Sequence, residues 1–576
     1  MRFLCWFIAL AAALGSAAGA PRPLPSFGVV FNDDADLTFV VPDRAQSEAL
    51  LRANLGALAD TPVKTLVYCV GMGGDLLYYN TKVASRVGWR KAPDETPGSL
   101  MEKRMENARV CLAQGADAVR TAGEAAKRMG LRFIPSLRMN DAHFMANPDQ
   151  HSMTSEFWFR YRDRYTIKRS PLEFQPAYGN LLDFTHEAVR QLRLDTVAEV
   201  LERNRDLVDG FELDFNRFQV FFPQGRAAAG APLITELVRQ VRLRLDQLAR
   251  ETGRPMHLLV RIPPSLADCA TAGLEVEKWM TARLVDLVSP AQIMTLAGDM
   301  PIADLVALGH RSGVAVYPSL YPRNSWRLPF PSTAGPRRYD GAQLSRDATV
   351  EEIRGAAAVY QAAGVDGFYL FNFYNAFGST RPHDARLYQV FRDLARPANL
   401  AGQAKVFAVT KRYYHDGPGS YAYGKQLPAK LGADGTLRVT LPAAEDVRAA
   451  PFPLKTCELR LGFRALPADV GLVVRLNGRL VFEGKPAEGT LFSTRAVTRS
   501  TPRQPDAAEH YLHLALPDRG WVVAGENGVD VAVIGGGPTI EVTDLELRYD
   551  YQNDYERLWR REPNRLNESS AAGLRK

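Results

Sequence analysis

From about Phe27 to Leu394, short apolar runs alternate with stretches whose apolar residues recur at three and four spacing. The runs predict strands at Ser26–Phe31, Val63–Val70, Arg132–Arg138, Gly210–Phe215, His257–Ile262, Leu284–Ser289, Gly313–Ser319 and Gly367–Phe373. Between them the spacing predicts helices at Ala45–Ala57, Met105–Met129, Glu187–Leu207, Ile234–Glu251, Glu275–Leu284, Ile302–Ser312 and Val350–Ala363. Strand and helix in strict alternation imply an α/β fold with a parallel sheet, and eight strands close a (β/α)8 TIM barrel.

After Arg396-Pro397-Ala398 the periodicity changes to short alternating strands separated by Gly, Asn, Asp and Pro, and Asn477-Gly478 is a two-residue hairpin signal. An all-β sandwich is expected over 404–551, following a barrel over 21–400. The charged tail, 552–576, is expected to be mobile. At the other end Arg2, an apolar core from Phe3 to Leu14 and the exit Ala18-Gly19-Ala20 read as a secretory leader cleaved near Ala20. The leader's apolar run is short for a membrane span, and no later segment reaches spanning length. The mature protein is therefore expected outside the cytoplasm, secreted or periplasmic.

Charge changes this picture little. The net charge of +7 is modest for 576 residues, and the basic residues read as spread along the chain without a dense run interleaved with aromatics. Nucleic acid is accordingly not expected as a partner, whereas an acidic glycan is compatible. Cys69, Cys111, Cys269 and Cys457 lack CxxC spacing, so neither a zinc knuckle nor a dense disulfide framework is indicated.

The chemistry concentrates in Asp209-Gly210-Phe211-Glu212-Leu213-Asp214-Phe215-Asn216-Arg217. On a strand, Phe211, Leu213 and Phe215 share one side while Glu212, Asp214 and Asn216 share the other. Two carboxylates on one face are costly to desolvate unless paired, so that face is expected to open on water or a ligand. The same alternation places Arg138 and Asn140 after the third strand, Arg261 on the fifth, Tyr317 and Tyr321 on the seventh, and Asn372 on the eighth. Together they would form a polar cup at the C-terminal rim, where barrels hold their sites. The long stretches Gly71–Leu100, Asn140–Leu182 and Leu320–Ser345 follow strands at that rim. They carry aromatics, among them Tyr78, Tyr79, Trp158, Tyr161, Trp326 and Tyr374, suited to a sugar's apolar face.

Glycoside hydrolysis needs a proton donor and a nucleophile or base. Asp214 is expected as nucleophile or base and Glu212 as the acid, with Asp141 in reserve as a second carboxylate. Arg138, Asn140, His143, Asn216, Arg261, Tyr317, Tyr321, Trp326 and Asn372 are expected to bind substrate. The competing reading is an ion-pair lattice of Glu212 and Asp214 with Arg138, Arg261 or Arg217 that performs no turnover. Asp141 and His143 are as well suited to capping their loop. No metal or cofactor is expected. Asp33 and Asp34 read as turn formers, since the barrel supplies no His pair at helical spacing, and Gly71-Met72-Gly73-Gly74 lacks the Lys-Ser/Thr of a phosphate loop.

Phe184-Thr185-His186-Glu187-Ala188-Val189-Arg190, a helix, and then Val208-Asp209-Gly210-Phe211-Glu212-Leu213-Asp214 resemble the core of the family-10-like extracellular glycosyl hydrolases, TIM barrels distantly related to alpha-amylases. The resemblance spans about residues 27–395. It implies a secreted glycosidase acting on a poly- or oligosaccharide, with Asp214 in the position of the clan's nucleophile. The chain departs from the clan in carrying Glu212 where an Arg stands and in lacking a Glu at the end of the fifth strand. A glycan-binding protein without turnover is the alternative on the same scaffold.

Overall fold

In a computed structural model the chain is described over residues 24–72, 75–171, 176–292, 295–324, 346–373, 385–409, 426–432, 435–445, 453–464, 466–467, 469–486, 490–493, 509–516 and 519–551. The expected leader, the 552–576 tail, Trp326 and Tyr374 lie outside these residues.

A nine-stranded parallel sheet carries the first part of the chain. Its strands are β1 (Val29–Asp33), β2 (Val63–Cys69), β3 (Arg132–Arg138), β4 (Gly210–Asp214), β5 (His257–Ile262), β6 (Leu287–Pro290), β7 (Ala315–Val316), β8 (Ser319–Leu320) and β9 (Tyr369–Phe371). The order across the sheet is β7-β6-β5-β4-β3-β2-β1-β9-β8, so each of the first strands lies beside its successor. The two segments at the ends of this order, β7 and β8, are separated in the chain only by Tyr317 and Pro318. The sheet is strongly curled. Val30, Val67, Ile134, Leu259, Leu287, Ala315, Tyr369 and Phe371 come from opposite parts of it and form one buried cluster on its concave side.

The convex side packs on helices, which bury their apolar stripes against the intervening strand residues. Alternation decides which residues go where: Phe211, Leu213 and Phe215 join the helix-side core, and Phe215 meets Phe221 at 5.6 Å and Trp279 at 5.3 Å. Helix starts follow local chemistry. Asp43 caps Arg44–Gly56 by accepting from the Gln46 amide at 2.7 Å, and Thr349 with Glu352 closes a capping box on Val350–Ala362. The single helix expected over Met105–Met129 is two, Leu100–Ala113 and Ala118–Arg128. Gly115, with φ of 79°, turns the chain between them where an L side chain would be strained.

From Lys405 onward the strands are antiparallel. Lys405–Ala408, Ile540–Tyr551, Leu454–Arg464, Glu509–Ala515, Thr490–Ser493 and Ala429–Leu431 build one sheet, and Thr436–Ala443, Gly525–Ile534, Gly471–Leu476 and Arg479–Gly484 a second. Asn477 and Gly478, both at positive φ, form the expected hairpin turn. The two parts of the chain meet at helix Val350–Ala362, where Arg354 bonds Asp393 at 2.8 Å and the Ala404 carbonyl at 3.3 Å.

Candidate active site

Register brings the charged residues together. Across neighbouring strands Ser136 faces Glu212, Arg138 faces Asp214, and Asp214 faces Arg261. Arg138, Asp214 and Arg261 thus form one row at the C-terminal ends of β3, β4 and β5, with Glu212 and Ser136 one step below. Asp209 holds the approach to β4. Its carboxylate accepts from the Phe133 amide at 2.8 Å and from the Lys127 ammonium, tying β4 to β3 and to helix Ala118–Arg128.

Arg261 donates to both oxygens of Asp214, at 3.0 and 3.1 Å, and its guanidinium lies 3.8 Å from the centre of the Phe371 ring. Arg138 bridges Asp34 at 2.5 Å and Asp141 at 2.9 Å. Arg217 stands 3.9 Å from Asp34 and 3.2 Å from Nε2 of His143, whose Nδ1 lies 2.6 Å from Asp141. Asn372 donates to Asp34 at 3.1 Å from a backbone held at φ of 61°, a left-handed conformation that Asn tolerates better than most residues. Three guanidinium groups therefore face three carboxyl groups in a continuous lattice. Although burial opposes it, Arg138, Arg217 and Arg261 hold Asp34 down to about 2, and His143, Arg138 and Arg217 hold Asp141 well below the ordinary carboxylate range.

Glu212 stands apart from these pairs. Its Oε1 accepts from Ser136 at 2.7 Å and from the Tyr369 hydroxyl at 3.0 Å, while its Oε2 is buried without a hydrogen-bond partner among the described residues. Burial, reinforced by the charge of Asp214, pushes its pKa from 4.5 up to about 7. Below about pH 7 this carboxyl holds a proton, with one oxygen unengaged among the described residues. Cys69 faces the same charged groups, and burial pushes its thiol up to about 12, which leaves it protonated.

The expected residues divide. Glu212, Asp214, Arg138, Asp141, His143, Arg261 and Asn372 converge, and Tyr321 joins them by stacking on Phe371 at 5.9 Å. Asn216 sits beside Asp214, but its side-chain amide binds the Ala291 carbonyl at 2.8 Å. Asn140 is turned away from the cup: its amide pins the carbonyls of Leu182 and Val220 at 3.0 and 2.8 Å. Tyr317 lies at the opposite end of the sheet. Its hydroxyl accepts from the Phe27 amide at 3.0 Å, because Tyr317 stands lower than Tyr321 on the same concave face. The rim aromatics Tyr78, Tyr79 and Trp158 are core residues, each at most 5% exposed.

Two expectations change more deeply. Glu212 and Asp214 are 0% and 3% exposed, so the pair does not open on solvent as the strand pattern suggested; Arg261 meets the desolvation cost of Asp214, and Glu212 meets its own by keeping a proton. His143, with 35% of its side chain accessible, is the solvent-facing member of the cluster. Asp34 is more than a turn former, since it anchors Arg138, whereas Asp33 does make the turn by accepting from the Ala35 amide at 2.8 Å. Ser136 and Tyr369, which bind Glu212, lie two residues inside their strands and so fall outside the strand-end pattern. Counting back two residues from Arg138 and from Phe371 finds both.

Among the described residues no group of three or more His, Cys, Asp or Glu is placed to hold a metal ion. None of the four cysteines there forms a disulfide with another described residue, and all are buried. A water-sized cavity lined by Asp75, Asn140, Asp141, Ser155, Trp158 and Arg193 adjoins the cluster on the Asp141 side.

No family model and no curated protein sequence matches the chain. Solved structures with similar course include a chitinase from Bacillus thuringiensis (11% identity, 90% of this chain and 100% of that one, TM-score 0.37) and a family GH18 chitinase from Chromobacterium violaceum (11%, 89% and 89%, 0.34). A cycloisomaltooligosaccharide glucanotransferase from Paenibacillus sp. is similar over 90% of this chain (11% identity, TM-score 0.33), and the chain spans 57% of its length. Likenesses of this degree carry no weight for fold or activity, which rest on the residues themselves.

Proposed function

We propose that the chain is an exported glycoside hydrolase in which Glu212 protonates the leaving oxygen and Asp214 acts as nucleophile or base. The observation that carries this is the division of labour between two carboxyl groups on one strand. Glu212 retains a proton to about pH 7 with Oε2 unengaged, and Asp214 is held by a guanidinium. A carboxyl that keeps its proton beside one paired with a guanidinium supplies an acid and its partner in one place. Ser136 and Tyr369 orient the acid, and Arg138 fixes Asp141 as a second, buried carboxylate beside the solvent-facing His143.

On this reading the curled sheet is a closed eight-stranded (β/α)8 barrel in which β7 and β8 are two halves of one strand. The pairing of β7 with β6 and of β8 with β9 supports that closure. A β-sandwich domain follows over 404–551, and a leader ending near Ala20 directs export. Trp326 belongs to the substrate-binding set.

A second reading, glycan binding without turnover, draws on a different observation: Asp34, Asp141 and Asp214 are all engaged by arginines, so the charges satisfy one another without a substrate. Screening the purified protein against neutral and acidic polysaccharides for released reducing ends separates the two. Hydrolysis predicts turnover that Asp214→Asn and Glu212→Gln each reduce at least 100-fold while glycan affinity persists. Binding alone predicts affinity with no reducing ends from the parent protein.

A further inference from the structure

The even spread of basic residues expected from the sequence breaks down at Glu156–Arg169. This segment holds five basic and two acidic residues and interleaves them with Phe157, Trp158, Phe159, Tyr161 and Tyr165. Its helix, Glu156–Tyr165, starts at the Ser155 cap, where Oγ accepts from the Trp158 amide at 3.2 Å. Helical spacing then sorts the side chains into stripes. Trp158 points inward and donates to the Asn180 carbonyl at 2.7 Å. Phe157, Tyr161 and Tyr165 follow one another along a half-exposed edge, with neighbouring ring centres 4.9 and 5.2 Å apart. Arg160 and Arg164 lie one turn apart, about 6 Å along the axis, on the adjacent exposed stripe, which Lys168 and Arg169 extend past the helix end.

These cations are largely free to meet a ligand. Arg160 pairs with Glu156 at 2.7 Å, but both side chains are more than half exposed, and such pairs hold little energy. Arg164 reaches no acid among the described residues, its guanidinium lying 5.3 Å from the Tyr165 ring. Lys168 donates to the Arg162 carbonyl at 2.7 Å and, like Arg169, has no acidic partner there. The segment is also coupled to the cup. The Asp183 amide binds the Tyr165 carbonyl at 2.8 Å, and the Leu182 carbonyl next to it accepts from Asn140, the neighbour of Asp141.

We infer that the exposed face of Glu156–Arg169 is a binding surface for an anionic polysaccharide carrying one carboxylate per sugar ring, which it presents to the cup. An aromatic edge takes the apolar face of a ring and a cation one helical turn away takes its carboxylate, the mixed recognition that such a polymer demands. A nucleic acid is the competing occupant; the glycan is favoured because the segment's hydrogen bonds lead through Tyr165, Asp183 and the Leu182 carbonyl to Asn140 beside Asp141, and the test below separates the two. The inference rests on the glycan reading of the protein but not on turnover.

The test is binding of the full-length protein to polygalacturonate and alginate oligomers, to neutral cello-oligomers of equal length and to a single-stranded oligonucleotide of equal charge. The uronate oligomers should bind at least tenfold more tightly than the other two and more weakly as salt rises. Arg160→Ala with Arg164→Ala, and Tyr161→Ala alone, should each lose about tenfold, whereas Arg164→Lys, and Arg239→Ala on the exposed face of a different helix, should keep most of the affinity. Equal binding of the neutral oligomers, equal or tighter binding of the oligonucleotide, or a double variant indistinguishable from the parent would overturn the inference. Failure of the hydrolase reading has a different signature, uronate oligomers bound by this face with no reducing ends released.

Discussion

One guanidinium nitrogen of Arg261 reaches both carboxylate oxygens of Asp214, at 3.0 and 3.1 Å, while Phe371 lies flat beneath the same group at 3.8 Å. Both partners are almost fully buried, at 1% and 3% exposure. A pair withdrawn from water in this way contributes little net stability, yet removing one member strands the other's charge. Arg261→Ala should therefore lower unfolding stability by about 3–5 kcal/mol. Arg261→Lys, which keeps the charge but loses the planar stack, should fall in between. Urea unfolding near pH 7.5 checks both, and a loss under about 1 kcal/mol for the alanine variant, the scale of exposed pairs, would contradict the buried environment described for Asp214.

Glu212 gives the opposite pH signature to most carboxylates. Its folded-state pKa, raised to about 7, lies above its ordinary value of 4.5. Between those values the unfolded chain has released the proton and the folded chain still holds it, so stability falls as pH rises through this window. The penalty is absent below about pH 4.5, accumulates to about 3 kcal/mol near pH 7 and is constant above it. Glu212→Gln, neutral at every pH, should remove that slope. Comparing denaturation midpoints of parent and variant from pH 4.5 to 8 measures it, and parallel curves would rule out the shift. If Glu212 is the proton donor, turnover should also fall as pH climbs past 7.

The strand carrying the carboxylates was legible because alternation is a local property: Phe211, Leu213 and Phe215 had to face one side whatever surrounded them. Which groups would neutralise Asp214 was only half legible. Arg261 was visible as a candidate partner of Glu212 or Asp214 alongside Arg138 and Arg217, but which carboxylate each takes depends on register, which is set across strands distant in sequence. Tyr317 shows the limit more sharply. Period-two counting assigns a face and not a depth: Tyr317 does share the concave face with Ala315 and Tyr321, but it stands four residues before Tyr321 and its hydroxyl reaches down to the Phe27 amide. Asn140 failed for another reason. A polar residue at a strand end suits a ligand or a loop carbonyl equally well, and here two carbonyls had been left without partners by the irregular chain at Leu182 and Val220.

The glycine that opens β4 is as specific as the acids that follow it. Gly210 has φ of 155°, and a Cβ built on it would lie 2.0 Å from the carbonyl oxygen of His257, the first residue of β5. That oxygen belongs to backbone and cannot swing aside, so Gly210→Ala must move β4 away from β5 or rotate its first peptide. The row of Arg138, Asp214 and Arg261 lies only four residues further along the same ladder, and a shift of the strand would lengthen the Asp214–Arg261 contact before it disturbed the helices. Gly210→Ala should cost about 1–3 kcal/mol, as overpacking does, and should lower any turnover beyond what the stability loss explains. Gly56→Ala makes a matched control, since nothing lies within 4 Å of its added methyl group and it sits at a helix end. There the change should be neutral or stabilising by up to about 1 kcal/mol. Thermal unfolding of both variants decides the matter, because equal midpoints would mean that β4 tolerates a side chain at its first position and that its register is not held by this contact.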